Sequence, residues 1–229
     1  MTTPGIEWDA ILLTVRLATW VSAILLVIGV PIAYWLAFSR WRWVFIAESL
    51  VALPLVLPPT VLGLYILIAV GADSPIGQAW TRLTGHGLAF SFEGLILASV
   101  LYSLPFTVQP IAAAFARVDA SLIDASATLG ASRWRTFHAI ILPLSRNGIL
   151  TGVVLSFAHT VGEFGVVLMV GGNLPGATRT VSLAIYDHVQ ALEYGAANRT
   201  ALLLVAFSFL VLVFTYGMQR RPWSPVSGR

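Results

Sequence analysis

The chain has 229 residues, 58% of them hydrophobic and only 10% charged, with a mean hydropathy of +0.86 and a formal net charge of +3. Soluble domains carry roughly 25% charged residues. So few charges cannot coat a chain this long with a water-facing surface, which excludes an ordinary soluble domain and a disordered chain and leaves a protein built inside a membrane.

The opening segment, MTTPGIEWDA, holds two acids and no base, so no cleavable leader is expected. From there the uncharged runs mark the predicted spans. Arg16 to Arg40 encloses 23 uncharged residues, Glu48 to Asp73 encloses 24, and Glu93 to Arg117 encloses 23. A fourth run, Arg146 to Arg179, is interrupted only by Glu163, and a fifth, Arg199 to Arg220, encloses 20. Each is long enough for an apolar core of about 30 Å, which takes about 20 helical residues. The expectation is an all-α membrane protein with five transmembrane helices.

Every base among the 13 Lys and Arg residues is an arginine. Arg40, Arg42, Arg117, Arg133, Arg135, Arg146, Arg220, Arg221 and Arg229 fall on one side of the predicted spans, and Arg16, Arg82, Arg179 and Arg199 on the other. The positive-inside rule puts the larger set in the cytoplasm, hence the N-terminus outside. Residues 72–93 and 172–198 would then lie outside and 115–146 inside.

Prolines are frequent at membrane depth: Pro31, the PLVLPP run from Pro54 to Pro59, Pro105 and Pro110. Two readings stay open, since neighbouring helices can re-satisfy carbonyls freed by proline, and broken helices can also line a pathway. The density at Pro54, Pro58 and Pro59 favours the second.

Residues 115–146 read FARVDASLIDASATLGASRWRTFHAIILPLSR. Val118, Leu122, Ala125 and Leu129 share one helical stripe. Ser121 with Asp124 has the spacing of a capping box, Gly130 that of a left-handed stop, Ser132 that of a second cap, and Pro143 that of a terminator. Two short amphipathic helices meeting at a glycine are expected. They would either lie on lipid headgroups, with Arg133 and Arg135 on anionic lipid, or form a docking knob anchored by Trp134 and Phe137.

Asp124-Ala125-Ser126, Gly130 and Ile140-x-Leu142-Pro143 resemble the "EAA" loop of binding-protein-dependent ABC importer permeases, with matching spacing throughout. Asp124 stands for the family's Glu and keeps its charge; Ser126 stands for Ala and keeps its small size. The resemblance implies the ABC type-1 permease fold, with a core over 8–218 of a single transmembrane domain spanning 1–229. It implies that residues 117–143 form cytoplasmic coupling helices docked on an ATPase subunit through Asp124, Ala125, Ser126, Gly130, Arg133, Trp134, Phe137, Ile140, Leu142 and Pro143. It also implies a permease homodimer, two cytoplasmic ABC ATPase subunits, an extracytoplasmic solute-binding protein and a prokaryotic plasma membrane. ATP chemistry would belong to the partner, which fits a chain with no lysine for a Walker A loop.

PLVLPP, the Gly162-Glu163-Phe164-Gly165 motif, GGNLPGATRT from Gly171 to Thr180 and SLAIYDHVQALEY from Ser182 to Tyr194 look like the oxyanion branch, molybdate permeases above sulfate or tungstate ones. A tetrahedral dianion wants N–H donors, hydroxyls or an arginine in place of its hydration. The pathway or gate candidates are Thr60, Ser103, Thr107, Ser156, Thr160, Glu163 and Arg179. Each hydroxyl has an equally good reading as packing glue. Glu163 is read as structural, paired with His159 four residues earlier, or alternatively as part of an outer gate.

No cysteine is present and no histidines share a ligand spacing, so neither a metal site nor a cofactor is expected, and no nucleic acid partner. A secondary transporter is the rival class, but its spans usually bury several ionisable relays where this chain offers Glu163 alone. No catalytic constellation supports an enzyme.

Overall fold

A computed structural model describes residues 7–219 of the chain. Arg220, Arg221 and Arg229, three of the arginines that set the predicted orientation, lie outside the described residues. All regular structure among the described residues is helical: α1 (Trp8–Phe38), α2 (Val44–Val56), α3 (Pro59–Val70), α4 (Pro75–Thr84), α5 (Phe92–Ala116) and α6 (Ala120–Thr128) come first. There follow α7 (Arg133–Thr136), a π-helical stretch (Phe137–Ile141), α8 (Leu142–Leu144), α9 (Arg146–Gly162), α10 (Gly165–Gly171), α11 (Val181–Gln190) and α12 (Tyr194–Gln219).

α1, α5 and α9 pack on one another and form the centre. α1 buries Ala10, Thr14, Leu17, Val21, Leu25, Gly29 and Ala33, positions three or four apart that make a single helical face. Near its N-terminal end, Leu17, Val21 and Leu25 join Leu95, Val100, Val167 and Leu183; near the other end, Ala33 joins Val51, Val108, Ile111, Phe115 and Ile141. α5 and α9 come together over small residues. A Cβ on Gly148 would stand 2.3 Å from the Ala114 Cβ, so only glycine permits this approach.

Among the described residues, three helices are long and apolar enough to cross a membrane: Trp8–Phe38, Phe92–Ala116 and Tyr194–Gly217. The number rises to five if two bent pairs each count as one span. α2 and α3 meet at 111° across Leu57 and Pro58, and Arg133–Leu144 meets α9 at 70°. Pro58 and Pro59 of the PLVLPP run therefore mark a true break, since Pro58 lacks the N–H that would continue α2, whereas Pro54 sits inside that helix. Pro31, Pro105 and Pro110 sit inside unbroken helices. The fourth predicted run is interrupted too: α9 stops at Gly162, and α10 is a separate short helix packed on α3.

Candidate functional site

The loop between α5 and α9 is built by capping. Asp119 takes the N-cap of α6, its Oδ1 accepting from the Ser121 backbone N–H at 2.9 Å, and these hydrogen bonds from Ser121 hold its carboxyl below the usual carboxylate range. The cap is thus Asp119, two residues before the expected Ser121, because the helix begins two residues earlier, at Ala120. α6 ends as foreseen at Gly130, whose φ of +76° is the left-handed conformation that glycine adopts freely. The Ala131 N–H reaches back to the Ser126 carbonyl at 3.0 Å and closes the turn. Ser132 caps α7 by accepting from the Arg135 N–H at 3.3 Å. Pro143 does not end the segment. The helix widens into the π stretch, continues through Leu144 and breaks at Ser145.

Ser126 and Thr136 join the two halves of this hairpin through buried hydroxyls 2.7 Å apart. The inner face carries Val118, Ile123 and Phe137, which pack against the Phe115–Ile111 cluster, with the Phe137 ring 5.3 Å from that of Tyr34. The outer face is apolar and exposed: Leu122 at 45%, Leu129 at 87% and Trp134 at 74%. The predicted stripe has the right period, but of its members only Val118 faces the core. Asp124, Ala125, Gly130 and Arg133 are exposed, whereas Ile140 and Leu142 are half-buried and Pro143 is exposed.

A second site forms where the two helix breaks meet. Pro59 and Thr60 at the start of α3 face Gly162, Glu163, Phe164 and Gly165 across a cleft of about 560 Å³, which Tyr102 and His159 also line. Glu163 leaves the helix with ψ 136°, its carbonyl accepts from the Ser182 hydroxyl, and its side chain is 4% exposed. Neither carboxylate oxygen has a hydrogen-bond partner among the described residues. The anticipated pairing with His159 is not formed. Because α9 ends at Gly162, four-residue spacing no longer puts the two on one face, and His159 Nδ1 instead sits 2.9 Å from the Ser103 Oγ, its ring stacked 3.9 Å from Phe106.

The other candidates separate into groups. Thr60 is exposed in the cleft. Ser103, Thr107, Ser156 and Thr160 are fully buried in the central helix contacts, with Ser103 and Thr160 hydroxyls 3.0 Å apart. Arg179 stands away from both, beside the N-terminal end of α1. It contacts Asp187 at 3.0 Å, Glu7 at 3.7 Å and Asn173 Oδ1 at 3.3 Å, while Asn173 donates to Asp187 at 2.8 Å. His188 adds contacts to Glu193 at 2.9 Å and Glu7 at 3.4 Å. Sequence reading singled out neither Tyr102 nor Glu7, and it included Asn173 and Asp187 only within the GGNLPGATRT and SLAIYDHVQALEY stretches, with no role of their own. For Tyr102 the adjacency to Ser103 was the one available signal; the ion-pair partners are scattered along the chain and gave none.

Residues 29–223 match the sequence pattern of the family described as "Binding-protein-dependent transport system inner membrane component". The chain belongs to that family. This permease is therefore a multi-pass protein of the plasma membrane and not an enzyme in its own right. It is 52% identical over 212 residues to the molybdenum transport system permease protein ModB of Azotobacter vinelandii, covering 92% of this chain and 93% of the relative. Against the protein of the same name from Escherichia coli (strain K12) it is 37% identical, covering 93% and 94%. A bacterial alginate ABC transporter, solved in complex with an alginate pentasaccharide-bound periplasmic protein, shares the permease's fold with a TM-score of 0.69 at 18% identity, over 95% of this chain and 80% of that one.

Proposed function

We propose that the chain is the membrane-spanning subunit of an ATP-driven ABC importer for molybdate, working with a separate ATPase and a solute-binding protein. The observation that carries the coupling role is the exposed Leu122–Leu129–Trp134 face on a hairpin whose other face is packed into the core. Water-exposed apolar side chains held this firmly are what a protein partner buries. Support for molybdate comes from the relatives' names and their identity over nearly the whole chain. Tungstate and sulfate are the alternative cargoes.

On this reading the bundle crosses five times with the N-terminus outside, each bent pair counting as one span. Residues 117–143 are the coupling loop within a single domain, 1–229, whose permease core is 8–218. Asp124, Ala125, Ser126, Gly130, Arg133, Trp134, Phe137, Ile140, Leu142 and Pro143 form or support the ATPase contact. Five spans enclose too little to make a pore alone, so two copies share the path at a two-fold axis. Thr60 and Glu163 line the path at the helix breaks. Ser103, Thr107, Ser156 and Thr160 lie on the seams that gate opening would separate, and Arg179 stands at the outer mouth.

The test is uptake into proteoliposomes holding the permease and its ATPase, with ATP inside and the binding protein and labelled molybdate outside, in competition with sulfate. ATP-dependent molybdate uptake that excess sulfate barely lowers is expected. Flux carried by sulfate would overturn the cargo and leave the importer standing. Flux without ATP or ATPase would overturn the coupling role itself.

A further inference from the structure

A groove of about 1200 Å³ runs between α1 and α9 beside the 117–143 loop. Its walls are apolar: Leu26, Val27 and Val30 from α1, and Ile149 and Val153 from α9. From Leu26 to Tyr34 it extends about 12 Å along α1 at 1.5 Å per residue. Arg146 at the first turn of α9 and Arg133 on α7 line it together with Tyr34, so both cations stand at the end where the loop begins. Both arginines are exposed, no acid lines the groove, and no carboxylate of the described residues pairs with either.

We propose that this groove is a binding site for one anionic phospholipid, its phosphate held by Arg146 and Arg133 and an acyl chain lying against α1 and α9. Arg133 then supports the ATPase contact from the lipid side rather than by touching the ATPase. The inference rests on the membrane reading given above. An apolar trough needs an apolar occupant, and two unpaired guanidiniums at one end need an anion. A phospholipid supplies both in one molecule, with its charge at the depth where basic side chains bind acidic headgroups. A second copy of this chain fits worse: an isologous contact through the groove would set arginines against arginines with no acid between them.

Native mass spectrometry of the detergent-purified permease tests the site, with dioleoyl-phosphatidylglycerol or dioleoyl-phosphatidylcholine added at equal concentration. The phosphatidylglycerol should be retained on the order of tenfold better, since two basic residues meet its net negative charge. Arg146→Gln should remove most of that preference, and Val27→Trp, which fills the trough from an exposed position, should cut retention of both lipids. Excess inorganic phosphate should not displace the bound lipid, because a free phosphate gains nothing from the apolar wall.

Equal retention of the two lipids by the unaltered protein, or unchanged preference in Arg146→Gln, would overturn the proposal. So would efficient disulfide cross-linking of two permeases through Val27→Cys in a chain with no cysteine of its own, which would put a second copy in the groove. None of these readouts needs transport, so a failed lipid site leaves the importer untouched, and a failed uptake assay leaves the lipid result standing.

Discussion

The two ends of the bundle are finished in opposite ways. At the end bearing the start of α1, polar groups are matched to one another: Arg179 to Glu7 and Asp187, His188 to Glu7 and Glu193, and the Val181 N–H to the Thr14 hydroxyl at 2.8 Å. The 172–180 turn closes on itself, with the Thr178 hydroxyl donating to the Gly171 carbonyl at 2.6 Å and accepting from the Leu174 N–H at 2.9 Å. At the loop end the backbone is capped with equal care, yet Leu129 and Trp134 stand in the open. Satisfied polar contacts hold one end to itself. Exposed apolar side chains occur at that end too, Leu83 at 85% and Leu192 at 72%. What sets the loop apart is a capped hairpin that carries Leu129 and Trp134 outward while its other face is packed in the core, and the proposed ATPase docking rests on that.

The largest effect should come from polarising that surface. Leu129→Asp combined with Trp134→Ala removes the two most exposed apolar anchors of the hairpin, and buried anchors of this kind are worth about 2 kcal/mol or more each in an interface. Pull-down of the cognate ATPase by the purified permease should weaken by a factor on the order of a thousand with both anchors gone, and on the order of 30 with either one gone. The thermal midpoint of the permease alone should hardly move, because neither side chain is buried in it. A permease that instead unfolds earlier while still retaining the ATPase would reverse the roles given to the two faces.

The opposite end should respond in the opposite manner. Thr14→Val keeps the shape but leaves the buried Val181 N–H without an acceptor, a loss of about 1–3 kcal/mol. The thermal midpoint should fall by several degrees in a chain of this size, with ATPase retention unchanged. If ATPase binding weakened as much as stability, the ends would be coupled more tightly than their separate packing indicates.

Much of this architecture was legible beforehand, and for a physical reason. A low-dielectric interior forbids stray charges, so the gaps between charges outline α1, α5 and α12 almost directly. The proline-dense run also announced its break, because Pro58 cannot donate the N–H a continuing helix needs. Glu163 misled in the opposite direction: helical spacing paired it with His159, but the chain turns extended at that residue and separates them. The stripe through Val118, Leu122, Ala125 and Leu129 was read with no inward or outward side given to it, and all but Val118 stand exposed. Ile123 and Ser126, not the longer Leu122 and Leu129, point inward, since the hairpin closes through a small hydroxyl pair that hydrophobicity does not reveal. The Arg179 network was invisible because Glu7, Asn173 and Asp187 come together only once α1 and α11 are packed.

The same small-scale capping that shapes the loop gives the weakest and most specific prediction. Asp119 is fully exposed, and its carboxylate is favoured by the hydrogen bonds it accepts from Ser121 at the first turn of α6. A carboxyl held below its ordinary range stabilises the folded loop while ionised, so its contribution is complete at neutral pH. It is lost as the pH falls through the lowered folded-state value, never on the alkaline side. Amide exchange across 119–131, corrected for its intrinsic pH dependence, should therefore show slightly poorer protection near pH 3 than near pH 7, which lie below and well above an ordinary Asp value of about 3.9. Asp119→Asn keeps a capping oxygen but has no charge to lose, so its protection should stay level over the same interval. A pH response that survives in Asp119→Asn would place its origin elsewhere in the loop. A level response in both proteins would mean that the turn at Gly130 and the Ser126–Thr136 link hold α6 without help from its cap.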